Sequence, residues 1–337
     1  MSRLVHSRQT SGASRKRAAR ARVRGFSLVE LMISLMLGLL VVGSAGAIFL
    51  SNRQTYRATE ALGRVQESSR MAYELFSRDV RETGGNPCGR TQSLTFYNFQ
   101  STPDTTLKDR WLRGVFGYNG STATPGIAFG TATGNRIAGT DAVDLISVDQ
   151  TSALSVLQHS LAAAQFRLNT INHTFAVGDT LVVCDNARMA VYTVSAAQPG
   201  VTDTITVDNA GTQNFNPDVA SGRASPIIAR QSLMRWYVGR NADGNNSMFR
   251  VPIGAGGAVL AARRQEVAEG VEGLRVRYLV TGAGAYADAG TIAADTWRSV
   301  SAVQAQINLA STDRAGVGGA RLQRAVVHTA TIRNRVP

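Results

Sequence analysis

The chain changes its hydrophobic rhythm twice. From Phe26 to Leu50 apolar residues run on without a period, 25 residues with one charge, Glu30, and no proline. At 1.5 Å per residue a helix of that length crosses about 30 Å of hydrocarbon, so the stretch predicts a membrane span. An acid near the start of such a helix is costly unless it meets a partner, which makes Glu30 a candidate functional residue.

From Ser51 to Glu82 the pattern stays helical but becomes two-sided. Ala58, Leu62, Val65, Ser69, Ala72, Phe76 and Val80 recur at steps of three and four, giving one apolar stripe. Glu60 with Arg64, Glu74 with Arg78, and Glu67 with Arg70 stand at pairing distance on the wet side. The spacing therefore predicts a single helix over Phe26–Glu82, roughly 85 Å long by rise. Gly84-Gly85-Asn86-Pro87 ends it.

Beyond Pro87 the period falls to two. Short runs between Gly, Asn, Asp and Pro turns predict strands over 94–99, 142–149, 180–184, 189–194, 202–207, 233–239, 247–251, 274–280, 300–309 and 322–332. Val303 to Leu309 alternates strictly and the run Arg324 to Arg333 alternates too, so the two predict an antiparallel pair joined by the Gly-rich stretch Ser311 to Ala320. Residues 100–140 and 209–226 read as loops. The fold class is α+β, one long N-terminal helix on a C-terminal antiparallel sheet.

Charge adds a direction. Eight basic residues and no acid precede Phe26 (Arg3, Arg8, Arg15, Lys16, Arg17, Arg20, Arg22, Arg24), so the net charge of +13 falls by eight to +5 without them. Crowded before a span, they hold that end in the cytoplasm and send the rest across the membrane. Two cysteines, Cys88 and Cys184, then lie in an oxidising compartment. One disulfide closing a long loop is the first expectation, and two free buried thiols the second. A metal is disfavoured because neither cysteine has a partner at ligand spacing.

Gly25-Phe26-Ser27-Leu28-Val29-Glu30 after a basic leader resembles the type III signal of type IV pilins and type II secretion pseudopilins. The resemblance implies cleavage between Gly25 and Phe26 by a prepilin peptidase, N-methylation of the Phe26 amine, and a docking role for Glu30 toward a neighbouring subunit's amine. It divides the chain into a removed leader (1–25), a transmembrane half-helix (26–50), an amphipathic half-helix (51–86) and a β-rich head (87–337). Many major pilins carry a mid-span proline that kinks this helix. Here Gly38, Gly43 and Gly46 stand in the span without one. Leu233 to Val238, Met248 to Arg250, Val271 to Tyr278, Trp297 to Asn308 and the ending from Thr331 resemble PilW-type minor pilins, relatives of the J-type pseudopilin. That implies a priming or tip complex supporting twitching motility and adhesion. The partners would be other minor and major pilins, the pilus assembly platform and the inner membrane, with the head periplasmic and then extracellular. A J-type pseudopilin of a type II secretion system, or a DNA-binding competence pilin, is the alternative. A conventional secretory signal cut after Ala45-Gly46-Ala47 and an uncut anchor also remain, and the mature N-terminus separates them: Phe26, Ile48 or Met1.

No catalytic constellation is legible. G-x-S-x-G, H-E-x-x-H, P-loop and G-x-G-x-x-G motifs are absent, and His6, His159, His173 and His328 are scattered. No enzyme activity and no cofactor are expected. Asn241 to Asn246 has a faint calcium-loop spacing without the distal Glu, and reads as a hairpin turn. The tail arginines Arg275, Arg277, Arg321, Arg324, Arg333 and Arg335 lack interleaved aromatics, so they read as solvated or subunit-facing rather than as a nucleic-acid surface.

Overall fold

The computed structural model describes residues 25–90, 93–101, 105–218, 225–254 and 257–335. Its longest element is α1 (Leu28–Glu82). Ser27 stays outside as the cap: its Oγ accepts the Glu30 N–H at 3.2 Å and its carbonyl the Leu31 N–H at 3.1 Å. That is why the helix starts two residues later than the apolar run. Gly84, at φ +68°, turns the chain out of the helix, and its N–H donates to the Ile146 carbonyl at 2.7 Å.

By contacts the chain divides into two units, Met1–Thr55 and Tyr56–Pro337. Described from Gly25, the first unit is an apolar rod whose side chains are all exposed. The second unit holds the rest of α1 and the head. Its elements are β1 (Gly85–Asn86), β2 (Gly89–Arg90), β3 (Thr95–Asn98), α2 (Leu107–Arg113), β4 (Val115–Tyr118), β5 (Ala142–Ser160), β6 (Gln165–Leu168), β7 (Thr180–Cys184) and β8 (Arg188–Ala196). Then follow β9 (Thr204–Val207), β10 (Ile227–Arg240), β11 (Asn246–Pro252), β12 (Gln265–Glu269), β13 (Val271–Val280), β14 (Ala287–Asp288), β15 (Val300–Ala310) and β16 (Gln323–Thr331).

Each predicted strand falls on an observed one, and the long helix on an antiparallel β domain is a pilin-like arrangement. Two strands are much longer than their apolar runs. β5 was expected to stop at Asp149 because Asp149-Gln150-Thr151-Ser152 is polar, yet it continues to Ser160. A bulge explains this: the β5–β10 register shifts between Ile228 and Arg230, and Ser152 Oγ fills the gap by accepting the Arg230 N–H at 2.8 Å. Beyond the bulge β5, β6, β9, β8, β7 and β10 pair antiparallel, each with the next, and β10 returns to β5. This is a closed six-stranded barrel inserted between the halves of two sheet strands.

Three apolar clusters follow. Val65, Ala72, Phe76 and Val80 of α1 pack on β13 and β15 through Leu274, Val276, Tyr278, Val303, Ala305 and Ile307. A second cluster under α2 joins Leu107 and Trp111 to β5, β10 and β11. The third fills the barrel, with Phe166, Leu181, Tyr192, Ile205 and Phe215. Phe215 comes from the 209–226 stretch read as loop; among its described residues it plugs the barrel, donating its N–H to His159 Nδ1 at 3.2 Å. Likewise α2 and β4 fall inside the stretch read as loop at 100–140, too short to show a period.

The helix stripe is the expected one from Val65 to Val80 and differs by one position at its start. Ala61 is buried while Leu62 is 41 % exposed, because a 3.6-residue turn back from Val65 falls nearer Ala61. On the wet side Glu60 pairs with Arg64 at 2.9 Å as expected. Arg70, however, reaches Glu74 at 2.7 Å, and Arg78 lies 4.0 Å from Asp79 instead.

Burial sets an acid limit on the head. It lowers His159 to about 4, and lowers His173 and His328 as well. Unfolded histidine titrates near 6.5, so the unfolded chain takes up protons first as pH falls. Stability is complete above about pH 6.5 and is lost progressively toward about pH 4. Urea midpoints measured across that window should fall, and His159→Phe should flatten the slope.

Candidate functional site: the signal helix and its seat on the head

The signal residues lie together at the start of α1. Gly25 and Phe26 lie outside the helix and are exposed, Ser27 caps, and Glu30 stands in the first turn, where a negative charge complements the helix dipole. This is the one described helix long and apolar enough to span a membrane, with a mean hydropathy of 2.3 over its best window and no buried residue there. Phe26, Leu28 and Met36 are 75–76 % exposed. So long an unburied apolar face requires lipid or protein around it.

The other end of α1 is fixed by a charge. Asp79 sits on the apolar stripe between Phe76 and Val80 and is 6 % exposed. It accepts from Trp236 Nε1 at 2.9 Å and takes the Arg250 guanidinium through Nε at 2.7 Å and Nη2 at 3.2 Å. Phe76 meets the Trp236 ring edge-on at 5.5 Å, and Tyr73 stacks on His328 of β16 at 3.7 Å. Neighbouring Glu82 has its carboxyl raised by burial and by the Asp79 charge. A buried carboxylate with a bidentate guanidinium and an indole N–H fixes one helix rotation, since any other leaves three polar groups unpaired.

Just past the helix, Cys88 and Cys184 form a disulfide across 96 residues of chain, tying the helix exit to β7 of the barrel. Closing a loop of that length stabilises by roughly 2–4 kcal/mol. The sequence made this bridge the first expectation. It did not single out Asp79 or Arg136, and for Asp79 an acid within the stripe was the signal. Arg136 lies alone in a Gly/Thr-rich stretch, with no such signal. Fully buried, it donates to the carbonyls of Asn119 and Thr122 at 2.8 Å and to that of Thr140, gathering the 119–140 segment around one guanidinium. Burial lowers it to about 10, so it remains charged at neutral pH.

Four of the six tail arginines are engaged within the head. Arg275 and Arg277 pair with Asp288 at 3.1 and 3.3 Å, and Arg321 with Glu272 at 2.6 Å. Arg335 is half-buried, donating to the carbonyls of Trp297, Val300 and Leu112 at 2.9–3.0 Å. The Asn241 to Asn246 segment is the β10–β11 turn, with Gly244 at φ +77°.

With this geometry described, comparison with known families adds one match. A model of the prokaryotic N-terminal methylation motif matches residues 20–46. This is a type IV pilin-like prepilin signal, and it covers the cap, Glu30 and most of the apolar rod. No curated protein matches the chain. The motif implies processing by a prepilin peptidase and assembly with pilin-type partners, and it fits a membrane-anchored pilin or pseudopilin, a structural class.

Removing the Asp79 carboxylate should loosen the helix from the head. Asp79→Ala is expected to cost about 3 kcal/mol, because Trp236 Nε1 and Arg250 stay behind unpaired. Asp79→Asn, which keeps an acceptor for the indole, should cost less. The order of the urea midpoints, native above Asn above Ala, checks both.

Proposed function

We propose that this chain is a minor pilin of the PilW type, cleaved between Gly25 and Phe26, methylated at Phe26, and built into a type IV pilus from its tip. The methylation-motif match at the head of an exposed apolar helix carries the reading. After cleavage, the new amine lies two residues before the helix and Glu30 in its first turn, where opposite charges on adjacent subunits attract strongly at low dielectric. A Cβ added at Gly38, Gly43 or Gly46 would meet nothing within 4 Å, so the chain's own packing does not need glycine there. Glycine at those positions suits close approach by another helix. The size of the head and the tail segments that resemble PilW-type proteins support a tip or priming role, with twitching motility and adhesion as its outcome. Other pilins, the assembly platform and the inner membrane are the partners in this reading. The head would face the periplasm before extraction.

Mass spectrometry of the natural protein should find Phe26 as first residue, one methyl group heavier than the free amine, with Cys88 bridged to Cys184. An intact leader, or a start at Ile48, overturns the proposal. Glu30→Ala should leave cleavage intact and lower the amount in sheared pili by about tenfold, as loss of about 1.4 kcal/mol of docking energy would. Absence from sheared pili, together with a protein-secretion defect on deletion, would assign the chain to a secretion pseudopilus instead.

A further inference from the structure

The four-stranded sheet β14–β13–β15–β16 ends in two unlike edges. On the β13 side the backbone is already used. The Leu274 carbonyl accepts from the Asp141 N–H at 2.8 Å, the Val276 N–H donates to the Asp141 carboxylate at 2.8 Å, and Arg277 and Tyr278 pair with β14. On the other side, β16 pairs with β15 from Gln323↔Ala310 to Thr331↔Ala302 without a register shift. Among the described residues no strand lies against its outer edge. A strand in an antiparallel ladder turns the N–H and C=O of alternate residues to either side, so about half of β16 presents its backbone outward.

Natural edges of this length are usually blunted by proline, lysine, a bulge or a covering loop. Gln323-Arg324-Ala325-Val326-Val327-His328-Thr329-Ala330-Thr331 has no proline and no lysine, and its ladder is unbroken. It is also a strong β-former, with Val326, His328 and Ala330 turned to the core side and Val327 54 % exposed on the other. Charge is one-sided as well. No acid follows Asp313, while Arg321 and Arg324 precede the core of the strand and Arg333 and Arg335 follow it. Arg321 and Arg335 are held within the head, and Arg324 is exposed.

We infer that the outer edge of β16 is a dock for one extended strand from an unlike subunit, alternating β-branched and small residues and carrying acid at its ends. Strand addition supplies affinity through the backbone and register through alternate side chains. The partner is unlike this chain because head-to-tail pairing of copies needs a second open edge, which the β13 side lacks, and a two-fold β16–β16 pairing would set the arginines at the ends of the two strands against each other. The nine positions of β16 offer about 30 Å of ladder. This extends the assembly reading to a particular edge, but its test uses the purified chain, so it fails or stands separately from leader cleavage.

The full-length protein in detergent micelles is titrated with a capped peptide of alternating Val and Thr with Glu at both ends. Two analogues are N-methylated on odd or on even residues, which removes the backbone donors of one edge and keeps every side chain. In the free protein about half of the β16 amides should exchange much faster than those of β15, and the peptide should protect them. One methylated analogue, and only one, should bind about tenfold more weakly, the loss of roughly one to two hydrogen bonds. Arg324→Glu should weaken the Glu-ended peptide and favour an Arg-ended one. Equal binding by both analogues, no binding at millimolar peptide, or full protection of β16 in the free protein overturns the inference. Protection that rises with protein concentration also overturns it, since the occupant would then be a second copy.

Discussion

A carboxylate buried where a helix meets a sheet constrains everything around it. Asp79 interrupts the apolar stripe of α1, and the head answers with an indole N–H and a guanidinium on adjacent strands, Trp236 of β10 and Arg250 of β11, which stand directly opposite each other in the ladder. Apolar burial by Phe76, Ala72 and Val80 supplies the bulk of the adhesion. That burial tolerates sliding and rotation by small amounts. Three directed bonds to one carboxylate do not, so they turn a greasy contact into a fixed one.

Around that fixed contact the head is built in two styles. The β13–β15–β16 sheet packs its inward residues against the helix, and they alternate as a half-buried sheet requires. The barrel is different in kind. Its interior is filled by aromatic rings, with Phe166 stacked on His159 at 4.0 Å and Tyr192 edge-on to Phe166 at 5.1 Å. One bulge at Asp149–Ser152 divides β5 and β10 between the barrel and the open sheet that β4 and β11 continue.

What could be read from the sequence follows from range. The rod, its stop at Gly84 and most strand centres are local patterns, and they were legible. The 300–309 and 322–332 pair was legible too, because a strict alternation on both sides of a Gly-rich turn leaves one register that buries both faces. The barrel was not. Its closure joins β10 to β5 and β7, and no periodicity announces which strand a short run will choose. The polar bulge even reads as a turn. For the site, the Gly25–Glu30 stretch was plain in the sequence. The seat of the helix was not, since Asp79, Trp236 and Arg250 are far apart along the chain and one acid in a stripe passes for a surface residue. Arg136 was invisible for a related reason: its partners are backbone carbonyls, which carry no sequence signature.

The cystine between Cys88 and Cys184 also has a mechanical meaning. A force pulling on α1 enters the head at Gly84 and, four residues later, meets a covalent branch to β7. Tension is thereby divided between the chain running on into β2 and a strand held on both sides by β8 and β10. The segment behind the helix therefore cannot leave the domain it draws along unless β7 comes out of its place between β8 and β10.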